Sequence, residues 1–190
     1  MHALFFEVRP LPGHLKHYFE HVDRLRPVLA RHPGLVFLER YSALEDDQVL
    51  LSHQLWQDED AIIGWRRDPE HRRSQTAGRK VHFQDYRIRV GERVLHHSTE
   101  TDSDAPVQTA TDRPHLVVLY ADTPAQDPAF ASFESVNTPG RFACLASLPN
   151  RQAAEALFDR VHTAPGLREA AAYAITRDYG MFERAEAPQQ

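Results

Sequence analysis

Trp65, His71, Gln75 and Arg79 lie on one short stretch of the chain, Trp65 after a first residue group that reads as a helix start and the other three after a second. An indole there can stack on a flat aromatic molecule. A neutral imidazole can take a proton, and an amide and a guanidinium can steady the oxyanion that results. His71 falls in the first turn after Asp68-Pro69-Glu70, an N-cap, a proline and an acid. The helix dipole disfavours an imidazolium at that end, so a neutral ring is expected. Each residue also has a plainer reading: Trp65 as a core tryptophan, His71 as a surface histidine of a polar helix. Arg72 and Arg73 read as solvated.

Other histidines offer further chemistry. His53 alternates with Leu51 and Leu55 on an apolar strand face, so it should lie inside the fold, where it needs a partner. It is then either structurally satisfied or a pocket base. His14, His17 and His21 share one helical stripe. That stripe lies off the apolar face and no carboxylate motif accompanies it, so no metal site is expected.

The elements that must position these groups can be read from period and punctuation. A strand is expected from Leu4 to Arg9 and a helix from His14 to Arg31, interrupted at Pro27. Strands follow at Val36–Tyr41 and Val49–Trp56. A helix opened by Asp58-Glu59-Asp60 restarts at Asp68 and ends near Gly78, and a strand runs from Phe83 to Val90. This order, βαββαβ, is that of a ferredoxin-like unit. On the last strand Tyr86, Ile88 and Val90 face one way and Arg87 and Arg89 the other, where Glu7 can reach them if the first and last strands are neighbours.

Residues 96–114 are polar, rich in Ser, Thr and Asp, and without apolar period, so they read as a linker. Beyond them come a strand at His115–Ala121, a proline-rich loop too short for a helix and a hairpin around Asn137-Thr138-Pro139-Gly140. A helix at Arg151–His162, a short helix through Ala171 and a strand at Tyr173–Phe182 complete the chain. The second half therefore reads as a degenerate copy of the first that lacks its first helix. The expected division is 1–95, a linker at 96–114, and 115–190.

Composition removes several function classes. The 190 residues carry a net charge of −5, which argues against nucleic acid or an anionic membrane as partner. The single cysteine, Cys144, excludes a disulfide framework and any cysteine-rich metal site. No apolar run approaches a membrane span and the N-terminus lacks a basic leader, so a cytoplasmic protein is expected. No G-x-G-x-x-G, P-loop, G-x-S-x-G or H-E-x-x-H motif is present. The net charge is +1 before residue 96 and −6 from there on, so any chemistry is expected in the first copy.

Trp56-Gln57-Asp58-Glu59-Asp60-Ala61, Trp65-Arg66-Arg67, Pro69-Glu70-His71-Arg72, Gln75, Gly78-Arg79, Phe83 and Tyr86-Arg87-Ile88-Arg89-Val90 together resemble the antibiotic biosynthesis monooxygenase family. The resemblance covers residues 2–95 well and the second half weakly. It implies an α+β fold in which two ferredoxin-like sheets pack into a dimeric-type barrel, each unit keeping a pocket between sheet and helices. A tandem chain would supply both sheets itself, as an intramolecular pseudo-dimer, or pair again as a homodimer.

The activity implied is cofactor-independent oxidation of a small aromatic phenol, anthrone or quinol. In that reading Trp65 stacks, His71 or His53 is the base, and Gln75 and Arg79 hold the oxyanion. The alternative is a non-catalytic barrel that binds a small ligand. Heme is not expected. The heme-degrading relatives use an asparagine and a histidine where this chain has Phe6 and Gln75, unless His71 substitutes as the ligand. The family's usual Asn near the Trp helix is also absent between Trp56 and Trp65.

Overall fold

The computed structural model describes residues 1–100, 106–107 and 112–188. The first half contains β1 (His2–Pro10), α1 (Leu15–Leu29), β2 (Leu35–Ala43), β3 (Leu50–Trp56), α2 (Glu59–Arg67), α3 (Pro69–Ala77), a π-helical turn (Gly78–His82) and β4 (Phe83–Ser98). The second contains β5 (His115–Ala121), β6 (Ala131–Ser135), β7 (Phe142–Leu148), α4 (Arg151–Val161) and β8 (Leu167–Gly180). No described helix is long and apolar enough to cross a membrane.

The strands close into one antiparallel barrel in the order β1-β3-β2-β6-β7-β5-β8-β4. Within the first half the spatial order is β4-β1-β3-β2, and within the second β8-β5-β7-β6. The two halves thus repeat one pattern of strand pairing, and two seams join them. One seam is short, pairing Tyr41 with Ser135 and Ala43 with Phe133. The other runs the length of β4 and β8, from Arg87 opposite Gly180 to Ser98 opposite Glu169.

Strand alternation sorts the side chains into three cores. Phe5, Leu51, Leu55, Leu116, Val118 and Tyr173 fill the barrel. Trp56, Ile62, Trp65 and Val90 pack between the first half's sheet and its helices, with Val8, Tyr18 and Val22 beside them. On the other flank α4 lays Ala154, Leu157 and Phe158 over Val117, Cys144 and the small side chains of β8.

β4 does not end at Val90. It continues to Ser98, so His96 and His97, expected in the linker, lie on a strand. The extension follows from the long seam with β8, and Gly91 permits it. A Cβ there would stand 3.0 Å from the Ala174 carbonyl oxygen and 3.1 Å from the Tyr173 Cβ. Residues 101–105 and 108–111 of the expected linker lie outside the described residues. The short helix expected through Ala171 is also strand, because β8 begins at Leu167. Alanine favours helix locally, but pairing with both β4 and β5 overrides that preference. Glu7 pairs with Arg89 as its strand position allows, while Arg87 turns to Asp178 of β8.

Candidate active site

The helices of the first half are held over the sheet by caps that the sequence displays. Asp58 opens α2 by accepting a hydrogen bond from the Ala61 amide at 2.8 Å. Asp68 opens α3 by accepting from the amides of Glu70 (2.9 Å) and His71 (3.1 Å), with Pro69 in the first turn. Two such bonds to one carboxylate fix the angle at which α3 leaves α2. Arg24 of α1 donates to the Ser74 hydroxyl of α3 at 2.7 Å, tying these helices together.

Under this roof lies a mainly apolar cavity of about 160 Å³, walled by Tyr18, Leu25, Ile62, Trp65, Phe83 and Ile88 among others. His71 lies nearly parallel to Trp65, with ring centroids 4.0 Å apart and an interplanar angle of 11°. Its Nδ1–H donates to the Trp65 carbonyl oxygen at 3.0 Å, which leaves the Nε2 lone pair as acceptor. Burial lowers the pKa of this ring to about 4, so it is neutral at pH 7.

Trp65, His71 and Gln75 line this cavity. Gln75 also lines a second, larger cavity of about 540 Å³, whose lining includes the exposed Arg67, Arg72 and Thr76, and Arg79 lines only that outer one. The two spaces share the walls formed by Phe6, Ile63, Phe83 and Ile88, so they adjoin, the outer one standing on the side of the exposed arginines as a vestibule to the inner.

His53 sits on the opposite face of the sheet, inside the barrel, and lines neither space. Its ring stacks on Phe5 at 4.4 Å. Its Nδ1–H donates to the Leu4 carbonyl at 3.3 Å, and its Nε2 accepts from the Tyr120 hydroxyl at 2.5 Å. Full burial lowers its pKa to about 3. His14, His17 and His21 do share a stripe, gathered around His82 of the π-helical turn.

Sequence reasoning missed the groups delivered by other strands. Arg40 of β2 lines the inner cavity, and Arg177 and Tyr179 of β8 line both spaces. The second half therefore contributes to a site expected to belong to the first alone. Simple alternation would place Ile175, Arg177 and Tyr179 on one face. The register instead pairs Gly91 with Ile175 and Val90 with Arg177, so Thr176 is an extra residue that reverses the pattern. Ile175 faces the barrel core and Arg177 faces the helix-side cavity. No residue type at this position announces the bulge. Only the pairing with β4 discloses it.

The family profile described as antibiotic biosynthesis monooxygenase matches residues 1–77. Over its whole length the chain is 28% identical to "Jasmonate monooxygenase ABM" of Pyricularia oryzae, covering 97% of that protein. It is 30% identical over 73 residues to "Uncharacterized protein YqjZ" of Bacillus subtilis, an alignment spanning 38% of this chain and 62% of that protein. Among solved structures, one of an aldoxime dehydratase shares the fold. It has a TM-score of 0.54 and 9% identity, over 92% of this chain and 80% of the other. Residues 1–77 thus match the antibiotic biosynthesis monooxygenase family model, and over its full length the chain is similar to a monooxygenase named for that family.

Proposed function

We propose that this protein is a cofactor-independent monooxygenase that oxidises a small aromatic phenol, anthrone or quinol in the helix-side cavity. The observation that carries the reading is the stacked Trp65–His71 pair in the wall of a mainly apolar cavity, with His71 Nε2 3.5 Å from the Gln75 amide nitrogen, a contact at the limit of hydrogen bonding that a substrate can displace. The family and the likeness to a jasmonate monooxygenase support the reaction class.

In this reading the substrate ring packs in the apolar cavity. His71 Nε2 takes the acidic proton, and the electron-rich anion meets O2 away from bulk water. A CH2 of an anthrone then becomes C=O with one oxygen atom, and the other leaves as water with both hydrogens. Gln75 and Arg79, at the vestibule end, steady the oxyanion. A ring with a pKa of about 4 is a weak base in the empty site, and the forming oxyanion strengthens it by pairing with the imidazolium. Because His53 lies across the sheet, proton transfer is assigned to His71, and His53 is given a place in holding the barrel interior.

We read the chain as two ferredoxin-like units, the first extended through β4 to Ser98 and the second starting at His115, joined by the residues between them. They form an intramolecular pseudo-dimer whose first unit keeps the pocket.

Oxygen uptake with a panel of hydroquinones, anthrones and jasmonate tests the reading. Wild type is expected to consume O2 with one of these above the buffer rate, and Trp65→Ala to lose about a hundredfold. Equal, background rates for both defeat it. The lowered pKa of His71 favours a second reading, a non-catalytic barrel that binds a small ligand. It is distinguished by saturable ligand binding without oxygen consumption.

A further inference from the structure

The vestibule is lined by Arg66 and Arg67 of α2, Arg72 of α3, Arg79 of the π-helical turn, Arg177 of β8, and Arg184 beyond it. None of its lining residues is acidic. In a chain whose net charge is −5, six guanidinium groups around one opening are a local excess of positive charge. Such groups repel each other unless something neutralises them.

The protein's own partners do so only in part. Glu59 pairs with Arg177. Arg66 donates to the Pro188 carbonyl oxygen at 2.6 Å, and Arg184 to the Tyr86 hydroxyl at 2.8 Å, both uncharged acceptors. Among the described residues no carboxylate is paired with Arg67, Arg72 or Arg79. The strain is visible at Arg66, whose pKa is lowered by burial and also by Arg177, Arg184 and Arg67. The buried Nε–H of Arg177, whose side chain lines both spaces, finds no acceptor among the described residues. A buried donor left unpaired is costly, and an oxygen-bearing ligand at the junction of the two spaces would satisfy it.

The inner space offers the opposite chemistry, with walls dominated by aromatic and branched aliphatic side chains. The two spaces in series are polarised: apolar inside, cationic at the mouth. From this we infer that the site takes an amphiphilic organic anion, with a compact apolar body in the inner cavity and a carboxylate held by the arginines of the vestibule. Guanidinium groups present paired N–H donors that match a carboxylate's two oxygens. The inference rests on the reading of the helix-side cavity as the substrate site, and it adds a head group to the aromatic or apolar body already proposed.

A matched ligand series tests it. 1-Naphthaleneacetic acid, its primary amide and its methyl ester share one apolar body and differ in charge. Titration calorimetry on the whole chain is expected to give about tenfold or tighter binding of the acid over the amide and ester. That preference should shrink at about 0.5 M salt, because the attraction is ionic. The double variant Arg66→Gln/Arg79→Gln should bind acid and amide alike, whereas Arg160→Gln, on the far side at α4, should keep the preference. Unchanged thermal melting of each variant confirms that folding is intact. Equal binding of acid and amide by wild type overturns the anion inference while leaving the apolar cavity and the oxygenase reading standing. Failure of wild type to bind the acid at about 1 mM overturns it too. If oxygen uptake is also absent, the reading of the cavity as a substrate site fails with it.

Discussion

The imidazole of His71 and the indole of Trp65 are bound to each other twice, by ring stacking and by the Nδ1–H bond to the Trp65 carbonyl oxygen. The hydrogen bond sets the tautomer and the stack sets the ring plane. In the proposed role of base, a ring held in this way would need no rearrangement before it accepts a proton. The same pair closes one wall of the cavity, so its chemical and structural roles are separable only by graded substitution.

Trp65 is 2% exposed and touches both His71 and His32. Trp65→Ala should cost about 3–5 kcal/mol of stability, the usual loss for deleting a buried indole. Trp65→Phe keeps an aromatic face for His71 and should cost distinctly less. Urea denaturation of both variants measures the difference. Equal stabilities for wild type and Trp65→Ala would show that the indole is not packed as described.

The histidines whose pKa is lowered by desolvation, His71 and His53 most strongly, make stability depend on pH. Their folded pKa values, about 4 for His71 and about 3 for His53, lie below the reference of 6.5. Between those limits the unfolded chain binds more protons than the folded one, so stability rises with pH there. The contribution is complete above about pH 6.5 and is lost progressively as pH falls towards 4 and then 3. Denaturant midpoints at pH 7.5 and pH 5 should differ in favour of the higher pH, and His53→Gln should flatten the slope. A midpoint that stays constant or rises on acidification contradicts the burial of these rings.

Asp68 caps α3 with two backbone bonds and fixes the turn that carries His71. Asp68→Ala should destabilise by about 1–2 kcal/mol. Asp68→Asn, which keeps an acceptor oxygen, should recover most of that loss. The signature beyond stability is ligand affinity, which should fall for the alanine variant as His71 loses its orientation. An alanine variant as stable as wild type would remove the cap from the account.

Gly91 stands where β4 and β8 come closest, and its absent side chain leaves room for the Ala174 carbonyl and for Tyr173. Gly91→Ala puts a methyl group into tight contact with backbone and should cost about 1–3 kcal/mol. Gly78 is similar, since a Cβ there would fall 2.3 Å from the Phe83 ring, a wall of the cavity. Gly78→Ala should therefore shift Phe83 and change ligand affinity as well as the thermal midpoint. Gly91→Ala should act mainly on the midpoint.

Much of the first half was legible from residue pattern because its signals are local. Asp58 and Asp68 announce their helices, and the period-two pattern of β3 correctly separates Leu51, His53 and Leu55 from Ser52, Gln54 and Trp56. The missing helix of the second half follows from a loop too short and proline-rich to form one. What the pattern could not show depends on partners distant in sequence. The extension of β4 to Ser98 and the start of β8 at Leu167 exist because each strand pairs with the other. The alanines of β8 carry no strand signal of their own. Arg177 reaches the cavity only through the bulge at Thr176, whose hydroxyl donates to the Val90 carbonyl at 3.2 Å. A site assembled across a seam is invisible to a reading of either half by itself.

The proposed function assigns proton transfer and oxygen chemistry to the helix-side cavity and to His71, and a structural part to the barrel interior. Initial oxygen-uptake rates of wild type, His71→Asn and Tyr120→Phe, measured with the best substrate of the panel, test it most directly. His71→Asn is expected to lose about a hundredfold or more, the usual contribution of a general base. Tyr120→Phe, which removes the donor to His53 on the other face of the sheet, is expected to stay within about twofold. No uptake by wild type, an unaffected His71→Asn, or a loss confined to Tyr120→Phe would contradict it.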